Sequence, residues 1–321
     1  MADTIFDRRL VMITGKGGVG KTTIASAIAV AAKERGLRTL LIEVGATDNL
    51  PQLFGVKIPL YEITRIEDGL YGFRLDPFHA LEDYLITNMK VEWAAKKFLQ
   101  TDVIRYLTQA APGWRELITL GKIWYTEQAV DKKTKKPEWD LLVVDAPATG
   151  HGISFLRVPQ VILETMKYGP IHTNTQRVQD LLTDTKRTLL SVVTLPEEMP
   201  INEAIEIHAA AKNVLKIPFG HVFVNMMPPK VLDADHRALG EKFKKDKKAR
   251  ATVDEHFEGG SEALIEAAEA TMERRALAES YVAEGQTKID ADFIELPYIY
   301  QDPMDRDGLA RIARAITEAT D

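Results

Sequence analysis

The sequence predicts an α/β fold, in which a doubly wound, mostly parallel sheet carries an inserted helical subdomain. Three observations lead to this prediction. Short apolar runs alternate with longer helical patterns along most of the 321 residues, which is typical of a parallel sheet covered by helices on both faces. The first run passes through a glycine-rich turn directly into a helical pattern. Between the third and fourth runs, several helical patterns replace the single crossover helix of a βαβ unit.

Seven apolar runs are the strand candidates. Each is short and bounded by polar or turn-forming residues, as expected for strands buried between two helical layers. They span residues 10–14, 39–44, 69–75, 140–145, 189–195, 220–225 and 293–296.

The long interval after the third strand candidate has a helical period. Its large apolar residues are Leu81, Tyr84, Leu85, Trp93, Phe98, Ile104, Leu107, Leu117 and Leu120. We therefore predict an α/β core of residues 1–76 and 131–321 and an inserted helical subdomain of residues 77–130. Helical patterns at 160–167 and 175–184 suggest that the region 160–185 adds to this subdomain.

Charge and cysteine content exclude several classes of function. Forty-one basic residues against 47 acidic ones give a net charge of −6, which argues against general attraction to nucleic acid. The chain has no cysteine, so it has no disulfide, thiolate metal site or cysteine nucleophile. No apolar stretch approaches the roughly 18 residues of a membrane span, and the N-terminus lacks a signal-peptide pattern. We expect a cytoplasmic protein without stable membrane insertion.

The strongest motif follows the first strand candidate and fits the pattern G-x-x-x-x-G-K-[ST]. Its glycines let backbone N–H groups turn inward around phosphate oxygens, and the next helix presents its N-terminus to the same charge. Lys21 is expected to contact the β- and γ-phosphates of ATP, and the Thr22 hydroxyl to bind Mg²⁺. The predicted nucleotide-binding residues of this motif are Gly15, Gly17, Gly18, Val19, Gly20, Lys21, Thr22 and Thr23.

A second motif begins with Asp145, which ends an apolar strand candidate and precedes Pro147 and Gly150. An acid at the C-terminal edge of a parallel strand beside a phosphate-binding loop can accept a hydrogen bond from magnesium-bound water. We predict that Asp145 is catalytic and serves the metal together with Thr22. A structural role, in which Asp145 caps the next helix, stays open at this point.

Lys16, a second lysine directly after the first glycine, makes the chain resemble the P-loop NTPases of the deviant Walker A class. This class includes the ParA and MinD partitioning ATPases, the nitrogenase iron protein, and the ArsA and tail-anchored-protein targeting ATPases. In that class the extra lysine reaches across a dimer to the partner's phosphates. The resemblance therefore implies a homodimer in which Lys16 is a catalytic residue.

Three further segments are similar to the ArsA family and its tail-anchored-protein targeting relatives in particular. They are residues 145–159, residues 193–200, and the pair Val224-Asn225. The resemblance implies an ATPase that uses ATP and Mg²⁺ and in which Asn225 recognises adenine, although Asn225 alone also fits a strand-end turn. We assign Pro297, directly after the last strand candidate, to the same nucleotide site.

The sequence departs from this family in the loop that orients the attacking water. Where the family has Asp followed by Pro, this chain has Gly45-Ala46, and the nearest acids are Glu43 and Asp48. Either acid could substitute, and we favour Asp48 as the catalytic residue because it lies on the loop. Since a positioned base contributes roughly 10²- to 10⁴-fold, we expect slow turnover.

The absence of cysteine also removes the family's thiolate sites for arsenite and zinc. In the targeting relatives the helical insertion forms a client groove that is usually rich in methionine. Residues 77–130 of this chain contain one methionine, Met89. Its apolar residues fit a groove for an unidentified protein client or partner, or an ordinary helical core. We therefore expect a dimeric ATPase switch, with a nucleotide-gated binding or chaperone module of negligible turnover as the alternative.

Overall fold

The computed structural model describes residues 4–45, 48–89, 113–147, 152–230, 234–301 and 304–320. Within this part of the chain, eight strands form one sheet in the order β3-β4-β2-β5-β1-β6-β7-β8. All neighbouring strands in it are parallel except the edge pair β3 and β4. The strands are β1 Leu10–Thr14, β2 Thr39–Val44, β3 Thr64–Glu67, β4 Leu70–Leu75, β5 Leu141–Asp145, β6 Thr188–Thr194, β7 Phe219–Met227 and β8 Phe293–Pro297.

Helices cover the sheet. They are α1 Lys21–Glu34, α2 Asn49–Phe54, α3 Pro77–Met89, α4 Trp114–Glu127, α5 Gly152–Thr165, α6 Pro170–Thr183, α7 Glu198–Ala210, α8 Ala234–Lys245, α9 Lys247–His256, α10 Gly260–Lys288 and α11 Arg306–Thr320. A π-helical turn, Ala211–Leu215, continues α7. No helix in the described residues is both long enough and apolar enough to cross a bilayer.

Both faces of the sheet are covered because the side chains of each central strand alternate between two apolar cores. Val11 and Ile13 of β1 join the core formed with α1 and α11. Leu10 and Met12 join the core formed with α3, α4, α5 and α6. A smaller core joins β7 to α7 and α10. The predicted doubly wound, mostly parallel α/β fold is confirmed.

The predicted strands were correct in position, but one strand was missed. β3 is only half-buried and pairs antiparallel at the sheet edge, so it lacks the continuous apolar run that marks a central strand. β7 extends two residues beyond the predicted 220–225 because Met227 still pairs with Pro297 of β8 after a register shift. The helical patterns at 160–167 and 175–184 are parts of α5 and α6.

The described ends of the predicted 77–130 insertion are α3 and α4. Ala80, Leu81 and Ile118 of these helices share one core with Leu40 and Phe73 of the sheet. These helices therefore form a layer on the sheet, with α5 and α6 beside them. Four residues that supported the helical prediction lie outside the described residues, namely Trp93, Phe98, Ile104 and Leu107.

Candidate functional site

At two positions of the loop between β1 and α1, only glycine fits. Gly15 has a φ of 145°, and a Cβ on it would lie 2.2 Å from the carbonyl oxygen of Val193. Gly20 has a φ of 90°, and a Cβ on it would lie 2.4 Å from Nδ2 of Asn225. α1 then begins at Lys21 with no side-chain cap on its first amides, so its positive end faces the loop. A loop of this shape before a helix N-terminus suits phosphate binding, and the phosphate-binding role of its residues stays a prediction.

Lys21 lies inside this loop. Its Nζ donates a hydrogen bond of 2.9 Å to the carbonyl oxygen of Lys16. Burial lowers the pKa of Lys21, while the negative charges of Asp145 and Glu203 oppose that change. The ammonium is thus held against the loop, where a bound phosphate would need a cation.

Thr22 and Asp145, the two predicted magnesium residues, are brought together. Thr22 Oγ1 donates a hydrogen bond of 2.5 Å to Oδ2 of Asp145. Burial raises the pKa of Asp145 to about 6; Thr22 and Lys21 act against this rise, and the charge of Glu43 adds to it. Glu43 is the register neighbour of Asp145 on β2, so two carboxylates end adjacent strands beside the phosphate loop.

These residues fit a magnesium ion. Oδ1 of Asp145 is buried and has no hydrogen-bond partner, which a native site rarely leaves without a function. A hydroxyl and a carboxylate are oxygen ligands of the kind Mg²⁺ prefers, and Mg²⁺ usually takes its other ligands from water and substrate phosphates. The described residues contain no group of three or more His, Cys, Asp or Glu that could hold a metal.

Asn225 contacts the phosphate loop although it lies 206 residues further along the sequence than Val19. It is buried, and its Nδ2 donates a hydrogen bond of 2.9 Å to the carbonyl oxygen of Val19. Met226 next to it has a φ of 57°, at the register shift between β7 and β8. Pro297 is exposed at the end of β8, three strands from β1. The adenine role of Asn225 and the place of Pro297 in the nucleotide site stay predictions.

The two acids near Gly45 share one partner that the sequence analysis missed, namely Arg74 of β4. Its Nη2 lies 2.5 Å from Oδ1 of Asp48, and its Nε lies 3.8 Å from Oε2 of Glu43. Glu43 is almost fully buried and its Oε1 accepts a hydrogen bond of 3.2 Å from the amide of Asn49. An arginine within an otherwise apolar strand was the available signal.

Two predicted features lie in part outside the described residues. Ala46 is not described, whereas Gly45 is, with a φ of 117° and no atom within 4 Å of an added Cβ. Thr149, Gly150 and His151, which follow Asp145 in the family-like segment, are not described either. Lys16 is half-buried, and its ammonium makes no ion pair with any described residue.

Comparisons with known proteins agree with this geometry. Residues 8–173 match the family model described as anion-transporting ATPase. The chain is 34% identical to the ATPase BagA of Mycobacterium tuberculosis over 231 residues, which are 70% of this chain and 67% of that protein. The matched region of the family model includes the phosphate loop, Asp145, α3 and α4.

Two more distant relatives bear other names. The chain is 25% identical to the arsenical pump-driving ATPase of Acidiphilium multivorum over 245 residues, covering 71% of this chain and 41% of that protein. It is 26% identical to the ATPase GET3 of Podospora anserina over 162 residues, covering 50% of this chain and 45% of that protein.

Proposed function

Because this chain belongs to the anion-transporting ATPase family, the ArsA-like ATPases, we propose that it is a magnesium-dependent, dimeric ATPase switch. The observation that carries the proposal is the contact between Thr22 and Asp145 beside the phosphate loop. A hydroxyl and a carboxylate at this position are what a P-loop ATPase needs for the metal that accompanies ATP.

Each part of the site has a role in the proposed reaction. The loop amides and Lys21 bind the phosphates, and Lys21 keeps a cation next to the oxygens on which charge develops. Thr22 and Asp145 hold Mg²⁺, which when bound supplies positive charge to the phosphate oxygens. At pH 7 the Asp145 carboxyl, with its pKa of about 6, is mainly ionised and can accept a hydrogen bond.

The attacking water needs an acid that orients it, and we propose Asp48 for this role. Its side chain is 63% exposed and lies at the start of α2, next to the loop after β2. Arg74 occupies Oδ1 of Asp48, so Asp48 meets a water at the γ-phosphate either through its second oxygen, Oδ2, or after release from Arg74. Turnover is slow if Arg74 holds Asp48 away from the γ-phosphate, since Gly45 supplies no carboxylate.

The contact between Asp48 and Arg74 also favours the second candidate function, a nucleotide-gated binding or chaperone module with negligible turnover. If Arg74 holds Asp48 out of reach of the γ-phosphate in the ATP-bound protein, no carboxylate on this loop is available to the water. Binding of ATP would then still order the loop while hydrolysis stays near the uncatalysed rate.

For assembly, we propose a homodimer in which Lys16 contacts the partner's nucleotide. An ammonium group without an ion pair next to a phosphate loop is available to an anion. We further propose that the helical layer of α3, α4, α5 and α6 carries nucleotide-dependent changes to a protein client or partner. The absence of cysteine excludes thiolate recognition of arsenite or zinc in this dimer.

Steady-state phosphate release from magnesium-ATP tests the proposal, with Lys21→Ala as the inactive control and Lys136→Ala as a surface control. Turnover above the Lys21→Ala baseline supports the ATPase switch. Binding of ATP by the wild type with phosphate release equal to that of Lys21→Ala supports the binding module instead. A wild type that neither binds nor hydrolyses ATP contradicts both functions.

A further inference from the structure

A cavity of about 440 Å³ lies between α3, α4 and α6, away from the phosphate loop. Its walls are mainly aromatic and aliphatic. The principal apolar residues are Tyr84, Trp114, Leu117, Trp124, Ile171 and Val178. This volume falls within the range of about 300–1,000 Å³ that is usual for small-molecule sites.

One acid in the wall is already neutralised. Oδ2 of Asp83 accepts hydrogen bonds of 2.7 Å from Lys122 Nζ and from the hydroxyl of Tyr61. The ammonium of Lys122 also lies 5.0 Å from the centre of the Tyr61 ring. Asp83 and Lys122 therefore contribute no net charge to the cavity.

Arg177, which also lines the cavity, adds a positive charge that Asp83 does not neutralise. Its guanidinium carbon lies 5.6 Å from the centre of the Trp124 ring, and Nη1 donates only a long hydrogen bond of 3.4 Å to Oδ1 of Asn174. It makes no ion pair with a residue in the described ranges. With Lys122 and Arg177 positive and Asp83 negative, the charged side chains among the described residues of the wall sum to +1.

We propose that this cavity binds a small organic carboxylate with a flat aromatic body. The body fits the walls formed by Trp114, Trp124 and Leu117 because aromatic rings pack favourably on one another. The carboxylate pairs with Arg177, whose planar guanidinium matches two carboxylate oxygens.

The size of the cavity favours a small molecule over an apolar helix of a protein client. A membrane-spanning helix has about 20 residues and is about 30 Å long. A cavity of about 440 Å³ can hold only a few side chains of such a helix. It has room for a two-ring aromatic acid.

Two positions allow a matched test. Gly121 of α4 lines the cavity, and a Cβ on it would meet no atom within 4 Å. Gly121→Ala therefore leaves the cavity open and favours the helix, whereas Gly121→Phe fills it. Arg177 is exposed, so Arg177→Gln removes the cation with little effect on folding.

The experiment is calorimetric titration of the nucleotide-free full chain with naphthalene-2-carboxylate, and with the neutral naphthalene-2-carboxamide. We expect binding of one carboxylate per chain, tighter than about 1 mM, to wild type and Gly121→Ala. We expect affinity about tenfold or more weaker for Arg177→Gln and no binding to Gly121→Phe. Thermal unfolding of each variant checks that it is folded, and Arg177→Gln keeps the test valid if Gly121→Phe is not.

Three results would overturn the proposal. These are no binding of the carboxylate at about 1 mM, equal binding of the carboxamide, and unchanged affinity in Arg177→Gln. Displacement of the carboxylate by an apolar helical peptide of 20 residues would instead assign the cavity to a protein client. The assay contains no nucleotide, so its outcome is independent of the proposed ATPase activity.

Discussion

Arg74 Nη2 lies 2.5 Å from Oδ1 of Asp48, and the same guanidinium reaches towards Glu43 at 3.8 Å. Arg74 and Glu43 are register neighbours on β4 and β2, and Glu43 is in turn the register neighbour of Asp145. The loop at Gly45 and Asp48 is therefore joined, through one arginine, to the strand ends that hold the proposed metal residues.

Replacing the proposed water-orienting acid is the first prediction. Asp48→Asn should lower kcat about a hundredfold, which is about 2.7 kcal/mol in activation free energy, with little change in ATP affinity. Glu43→Gln should affect turnover less, because Glu43 is buried against Asn49 and Arg74. Phosphate-release kinetics measure both. If both variants keep wild-type turnover, no local acid replaces the missing one.

The second prediction concerns Gly45, the position at which the resemblance described above implies an aspartate. Gly45→Asp should be neutral or harmful to kcat if Asp48 serves the water, because the new residue must adopt a φ of 117° at a cost of about 1–3 kcal/mol. Gly45→Asn is the matched control, since it has the same shape and strain without the charge. A kcat for Gly45→Asp above those of both the wild type and Gly45→Asn, at equal ATP affinity, would show that the wild type lacks a working acid.

Loss of the phosphate-loop cation is the third prediction. Lys21→Ala should abolish magnesium-ATP binding in calorimetry, because the ammonium held at Lys16 is the cation expected at the β- and γ-phosphates. Lys136→Ala, on an exposed loop, should bind like the wild type. Unchanged ATP affinity in Lys21→Ala would remove the phosphate-binding assignment of this loop.

The fourth prediction concerns assembly. A non-hydrolysable ATP analogue should shift the wild type towards a closed dimer, seen by light scattering and small-angle X-ray scattering. Lys16→Ala should bind the analogue without closing, because its charge is proposed to act on the partner's nucleotide. Lys16→Arg, which keeps the charge, should close partly. A wild type that stays monomeric in every nucleotide state would contradict the proposal.

The fifth prediction is a pH dependence of stability that arises from Glu127. This residue contacts Arg9 and Arg187 at the amino-terminal ends of β1 and β6. Burial alone would raise the pKa of Glu127, but hydrogen bonds from Arg187 and Arg9 outweigh burial and lower it. An acid with a lowered pKa stabilises the fold above its ordinary pKa, and this contribution disappears as the pH falls through the lowered value. Stability from Glu127 should therefore be present at pH 7 and lost below about pH 4.5.

Urea unfolding of Glu127→Gln tests this dependence. The variant should lose about 3 kcal/mol at pH 7, the lower end for a broken buried ion pair, because Arg9 and Arg187 are about a quarter exposed. The difference from the wild type should shrink as the pH falls below about 4.5. Glu255→Gln, at an exposed position, should match the wild type at every pH. A Glu127→Gln variant as stable as the wild type at pH 7 would contradict the prediction.

Local sequence was sufficient for the features that depend on neighbouring residues. The glycine pattern around Lys21 is contiguous, so its turn and helix start could be predicted from residue type and spacing. β1 and β5 are apolar throughout because both of their faces are covered, and that composition also placed Asp145 at a strand end. β3, half-buried at the edge, lacked this signal.

Only the tertiary structure decided which distant residues share the site. The sequence by itself determined the phosphate loop, the fold class and the acid at the end of β5, since each follows from short-range periodicity and backbone chemistry. The strand order then brought Asn225 to Val19 across 206 residues and placed Arg74 between Asp48 and Glu43. These contacts depend on which strands become neighbours, and that choice results from packing of the whole core rather than from any local pattern.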